Sequence, residues 1–146
     1  MTSRHLLRGF TLIELMIAIA VVSVLAAVAL PSFADAFRKG RRAEAMSALM
    51  QLQMAQERWR ADHARYTDRL ADLRHHEVST GGHYRLAIVA ADAHGYVLEA
   101  TAINAQAADR ACQVLVLSQR GGQLNYSARD ASGHLDDSGR HRCWPR

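Results

Sequence analysis

Residues 9–31 read GFTLIELMIAIAVVSVLAAVALP, and residues 10–30 of that stretch carry a single charge, Glu14, among 21 positions. About 20 apolar residues in a helix cross the hydrocarbon core of a bilayer, so this block is long enough to span a membrane. Only nine residues precede it, with Arg4 and Arg8 among them. A secretory signal places its small-residue cleavage site after the apolar run. Ala26-Ala27 mimics such a site, but the more suggestive small residue, Gly9, lies before the run. Cutting at Gly9 leaves the apolar segment on the mature chain as an anchor. A carboxylate in the bilayer costs about 2.5–3.5 kcal/mol on insertion scales, which marks Glu14 as functional. The plainer alternative has Glu14 snorkel to the interface and favour the helix N-terminus electrostatically.

Gly9-Phe10-Thr11-Leu12-Ile13-Glu14-Leu15-Met16, followed by an apolar helix and Pro31, closely resembles the N-terminal signature of type IV pilins and type II secretion pseudopilins. The match covers roughly residues 8–33. A buried acid five residues past a glycine in an otherwise apolar run makes it specific. The resemblance implies a leader at 1–9, cut by a prepilin peptidase between Gly9 and Phe10, and N-methylation of the new Phe10 amine. Gly9 is then the residue the peptidase requires. Glu14 guides assembly by meeting the Phe10 amine of a neighbouring subunit. Pro31 lacks an N–H and clashes with the preceding turn, so it ends or kinks the helix; in the family such a proline lets the helix loosen inside the filament.

Beyond Pro31 the pattern is helical again. Ala45, Ala48, Leu52, Ala55 and Trp59 recur at three- and four-residue steps, and Met46, Met50 and Met54 widen the stripe. Arg41, Arg42, Glu44, Glu57, Arg58 and Arg60 fall mostly off it. Helix signals fade near Asp62, and 66–77 reads as a connecting loop. Residues 83–90 alternate, placing Tyr84, Leu86 and Ile88 on one face. Asp92-Ala93-His94-Gly95 gives a turn, and 96–103 places Tyr96, Leu98, Ala100 and Ala102 on one face. A third strand is expected at about 113–117; after a turn at Arg120-Gly121-Gly122 a weaker one follows at 124–126. The expected fold is α+β, a long N-terminal helix against an antiparallel sheet of three to four strands. The expected divisions are a leader (1–9), a transmembrane or filament-core helix (10–30), its amphipathic continuation (31–62) and a head (63–146).

The 146 residues suffice for one modest domain with a real core. Two cysteines, Cys112 and Cys143, cannot hold a tetrahedral metal alone, so one disulfide in an oxidising compartment is the economical reading. It closes a loop of roughly 32 residues, worth about 3–4 kcal/mol in the chain-entropy model. Many type IV pilins carry such a C-terminal loop, whereas major pseudopilins generally lack it. The stretch from Asp109 to Cys112 with Leu115 and Leu117, and the Cys143-Trp144 ending, is similar to a group of minor pilins.

The formal charge is +4, with 17 arginines and one lysine, Lys39. Losing residues 1–9 leaves 16 basic against 14 acidic side chains. Arg38, Lys39, Arg41 and Arg42 lie just past the apolar span and outnumber Arg4 and Arg8, the reverse of the loop-charge rule for an exported head. Large downstream domains translocate largely regardless of charge, so the head is still expected outside the cytoplasm. His75, His76 and His83 with Glu77 match no ordered metal spacing. Asp136-Asp137 supplies few of the oxygens calcium needs. No nucleophile–base pair or phosphate-cradling loop is visible, and neither an enzyme nor a cofactor is expected. Arg129, Arg140 and Arg142 with Trp144, and Arg120, Arg146 and Tyr126 nearby, combine cations with stacking surfaces, as DNA capture does.

The leading expectation is a structural minor pilin of a type IV pilus. Its implied partners are other pilins, the prepilin peptidase and the pilus assembly machinery. It is expected to be held in the inner membrane by a single pass, head in the periplasm, before joining an extracellular pilus. The alternatives are a DNA-binding minor pilin for DNA uptake and a pseudopilin of a type II secretion system.

Overall fold

The computed structural model describes residues 10–136 and 142–144. The chain divides between Ala36 and Phe37 into two compact units, and helix α1 (Leu12–Asp62) runs from the first into the second. In the first unit every large apolar side chain from Phe10 to Val28 is exposed. Its apolar window has a mean hydropathy of 2.7 and none of it is buried, so α1 is long and apolar enough to cross a membrane. A helix apolar all round is stable only when something covers it. Pro31 does not end α1, as one branch of the sequence expectation had it. A proline removes a single hydrogen bond from the ladder, and long helical flanks hold the turn on both sides.

In the second unit the remainder of α1 packs on an antiparallel sheet of five strands in the order β1 (Tyr84–Ala91), β2 (Gly95–Ala102), β3 (Val114–Arg120), β4 (Gln123–Arg129) and β5 (Leu135–Asp136). The architecture is α+β, as expected, with the two-residue β5 added at the far edge. Period-two alternation decides what faces the helix. Tyr84, Leu86, Tyr96, Leu98, Ala100, Ala102, Leu115, Leu117 and Ala128 are buried against Ala45, Met46, Leu49, Leu52 and Ala55. The register puts Leu98 opposite Leu117, and Leu117 opposite Tyr126.

The helix stripe is corrected in two places. Met50 and Met54 are 45% and 54% exposed, and Leu49 takes the core position instead. A helix laid on one sheet face covers only one side of itself, so the residues that widened the stripe rotate outward. Arg42, expected off the stripe, is 8% exposed, held there by partners far away in sequence.

Turn chemistry fixes the hairpins. Asp92 Oδ1 accepts the N–H groups of His94 (2.6 Å) and Gly95 (2.9 Å), closing β1–β2. Gly95 is obligatory, because a Cβ there would lie 2.0 Å from the Gln119 carbonyl oxygen. Gly121 and Gly122 both have positive φ, +57° and +81°, the two-residue turn that matches strand twist between β3 and β4. Cys112 ends a short 3₁₀ turn, Arg110–Cys112, just ahead of β3. Pairing of β3 begins two residues later, opposite Thr101.

Candidate functional site

At the start of α1, the Thr11 carbonyl accepts the Leu15 N–H (3.2 Å), so Thr11 is the cap residue. Its hydroxyl accepts the Glu14 N–H at 3.3 Å, and Glu14 Oε2 accepts the Thr11 N–H at 3.4 Å. This is a capping box, Thr at N-cap and Glu at N3. The signal is legible in the sequence, since Thr-x-x-Glu ahead of an apolar run spells it. Within one chain Glu14 therefore reaches its own helix end, and Phe10 beside it is 88% exposed. Gly9 lies outside the described residues.

The second site is the seam between α1 and the C-terminal loop. Cys112 and Cys143 form a disulfide, with Cα atoms 5.6 Å apart and a sequence separation of 31. Both are buried. Arg42 clamps this seam from the helix. Its Nε and Nη2 donate to the two Asp109 oxygens, each at 2.8 Å, and its Nη1 donates to the Arg142 carbonyl at 3.0 Å. The fully buried Gln106 donates to the Arg38 carbonyl (3.1 Å), the Tyr84 hydroxyl (2.9 Å) and Asp109 (3.2 Å). Burial pushes the Tyr84 phenol up to about 12, although the Gln106 bond pulls the other way.

Two further carboxylates on α1 pin the head. Glu44 accepts the Ser79 hydroxyl, the Gly81 N–H (2.8 Å) and His83 Nδ1–H (2.6 Å). Partial burial raises its pKa, but the bonds from Ser79, His83 and Gly81 outweigh burial and hold it below the usual carboxylate value. Glu57 accepts the hydroxyls of Tyr66 (3.2 Å) and Tyr96 (3.0 Å). None of these partners could be chosen from sequence, because each lies a loop or a strand away.

Of the residues expected to contact DNA, Arg129, Arg142 and Trp144 are among the described residues, and Arg129 and Trp144 have partners within the head. Arg129 pairs with Glu99 at 2.5 Å. Trp144 is half-buried, its indole N–H donating to the Ser127 carbonyl (2.8 Å) and its ring edge-on to Tyr126 with centroids 5.0 Å apart. Arg142 is exposed, and Arg140 lies outside the described residues. His83 is taken by Glu44, away from His75 and His76, and Asp137 is also outside the described residues.

Residues 31–116 match the family model described as "Type IV minor pilin ComP, DNA uptake sequence receptor". Residues 7–30 match the model described as "Prokaryotic N-terminal methylation motif". Among curated proteins the chain is similar to the type IV major pilin protein PilA of Myxococcus xanthus (strain DK1622), 43% identical over 61 residues, covering 42% of this chain and 28% of that one. It is also similar to the fimbrial protein EcpC of Eikenella corrodens, 50% identical over 40 residues, covering 27% and 26%. The type IV major pilin protein PilE1 of Neisseria gonorrhoeae is 56% identical over 39 residues, covering 27% and 24%. The matched region spans about a quarter of each of these relatives.

Proposed function

The chain belongs to the family of the type IV minor pilin ComP, and from that we propose that it is a structural minor subunit of a type IV pilus. One observation carries the reading: the two family matches abut, so residues 7–116 are pilin-like without a break. A prepilin peptidase removes residues 1–9 after Gly9, and the Phe10 amine is methylated. The apolar part of α1 holds the subunit in the inner membrane, head in the periplasm, until it joins the pilus. There the Phe10 amine of one subunit meets Glu14 of another, so the intrachain capping box is the resting arrangement. Pro31 is the place where α1 loosens. The role is structural rather than enzymatic; other pilins and the assembly machinery are its partners. Intact-mass analysis of the mature chain tests this. The expected result is loss of residues 1–9 plus one methyl group on Phe10; a mature N-terminus near Ala27 overturns it.

A second reading, DNA capture by the head, is favoured by the family description. It requires the tail arginines to reach phosphates, but Arg129 is occupied by Glu99 and Trp144 by Ser127 and Tyr126. Salt titration of duplex DNA binding by the mature chain, with and without Arg129→Gln and Arg142→Gln, separates the readings. The structural reading expects no measurable binding at physiological salt and variants that still enter pili. DNA capture expects affinity that falls steeply with salt and a flatter slope in the variants.

A further inference from the structure

Two residues of the head sit where the local backbone does not favour them. The His75 N–H donates to the Leu70 carbonyl at 3.1 Å, and the Arg74 N–H to the Ala71 carbonyl at 3.0 Å. This pair of bonds is a Schellman closure, whose left-handed position is usually glycine. Here that position is Arg74, with a φ of 56°, where a Cβ crowds the backbone. Asp62 is the last residue of α1, and an acid at a helix C-terminus opposes the helix dipole. Among the described residues the side chains of Asp62 and Arg74 have no hydrogen-bond or ion-pair partner, so no contact within the head accounts for either. Residues that break local rules in this way collect at functional sites.

Both residues line one hollow of about 440 Å³, with Arg58, Trp59, His63 and Asp72; Ala55 and Leu73 add an apolar lining. The Trp59 and His63 rings stack, with centroids 3.7 Å apart and planes within 1°. His63 Nδ1–H donates to the Trp59 carbonyl at 2.9 Å, which holds the imidazole on the indole. Its Nε2 is then an acceptor in the neutral ring. A second hollow of about 360 Å³ meets the same stack and is also lined by Arg65 and Thr67. Both volumes fall at the lower end of small-molecule sites.

We propose that the two hollows bind successive pyranose units of a neutral polysaccharide. Sugar C–H groups carry partial positive charge and suit the electron-rich faces of aromatic rings. Sugar hydroxyls both donate and accept, so they suit a site that sets carboxylates beside guanidiniums. Asp62 and Asp72 supply acceptors there, and Arg58 and Arg74 supply donors. Asp72 is held in place by the Thr67 hydroxyl at 2.7 Å. Two hollows sharing one stack favour a polymer over a single sugar. A nucleic-acid phosphate would meet two carboxylates along with the two arginines, so a neutral polyol is favoured over DNA. The whole site lies in the head unit.

The full chain in a sugar-free zwitterionic detergent is titrated with cellohexaose, maltohexaose and chitohexaose, and NMR follows the Trp59 indole and His63 imidazole signals. At least one of the three should shift both signals saturably, with a Kd of about 1 mM, as expected for a small ring in an open site. The Trp144 indole N–H, bonded to the Ser127 carbonyl, should not move and serves as the internal control. Asp62→Asn and Arg74→Gly should each weaken binding about tenfold, the loss of one hydrogen bond from a charged group. Neither variant should melt below the unaltered chain, because each removes a local conflict in the fold. No saturable shift with any of the three sugars overturns the proposal, as does undiminished binding by both variants. Lowered melts in both variants would give Asp62 and Arg74 a structural role and overturn it too. So would duplex DNA shifting the Trp59 and His63 signals where the sugars do not, which would assign the site to nucleic acid.

Discussion

Replacing Arg42 with methionine keeps an unbranched apolar stem and removes the guanidinium with its charge. In the native head Arg42 and Asp109 are 9% and 5% exposed at the side chain, so neither charge is well solvated. The substitution deletes two bonds of 2.8 Å to Asp109 and one of 3.0 Å to the Arg142 carbonyl. Asp109 is left with one partner in this network, the Gln106 amide at 3.2 Å. Breaking a buried pair from one side leaves an uncompensated charge and typically costs about 3–5 kcal/mol. Domains are stable by only about 5–15 kcal/mol, so the loss is a large share of the total. Urea unfolding of the full chain in detergent, with the disulfide intact, measures it. Arg42→Met and Asp109→Leu should each be strongly destabilising, and the double variant should recover much of the loss, because no charge is then stranded. Single variants that each cost under about 1 kcal/mol, with no coupling between them, would refute the reasoning. The pair would then behave as an exposed, screened contact.

Cys143→Ser should lower head stability by about 3–4 kcal/mol from the chain-entropy term alone, read by urea unfolding of the full chain; thiol labelling of the freshly isolated wild type should find neither Cys112 nor Cys143 reactive. Glu14→Gln keeps a side chain able to complete the capping box but removes the charge. It should insert in the membrane normally yet be depleted from sheared pili, and normal incorporation would show that local capping is its whole role. The Glu44 carboxylate titrates below its ordinary value in the head. Its contribution is thus fully present above the unfolded carboxylate value and is lost as pH falls through the folded one. Glu44→Gln should remove that part of the acid sensitivity in melts compared between neutral pH and pH about 3.

What was legible in the sequence was whatever short-range pattern encodes. Twenty-one residues with one charge specify a membrane-length helix, and Thr11 and Glu14 spell their own cap. Alternation around Tyr84 and Leu98 gives the inward faces of β1 and β2, and the Asp92–Gly95 and Gly121-Gly122 turns set the hairpins. These depend on neighbours one to four residues apart, so no tertiary information is needed. A count of two cysteines was enough to suggest their bond.

Tertiary structure decided the rest, because it depends on which residues distant in the chain become neighbours. Sheet packing chose Leu49 over Met50 and Met54, since a helix on one sheet face can bury only one side. Sixty-seven residues separate Arg42 from Asp109, and only the docking of α1 on the sheet makes an off-stripe arginine a buried clamp. The same docking paired Arg129 with Glu99 and Trp144 with Ser127, partners that residue type alone could not name. Residue type fixed what each side chain could bind, and the fold, by bringing partners within hydrogen-bond reach, determined what it does bind.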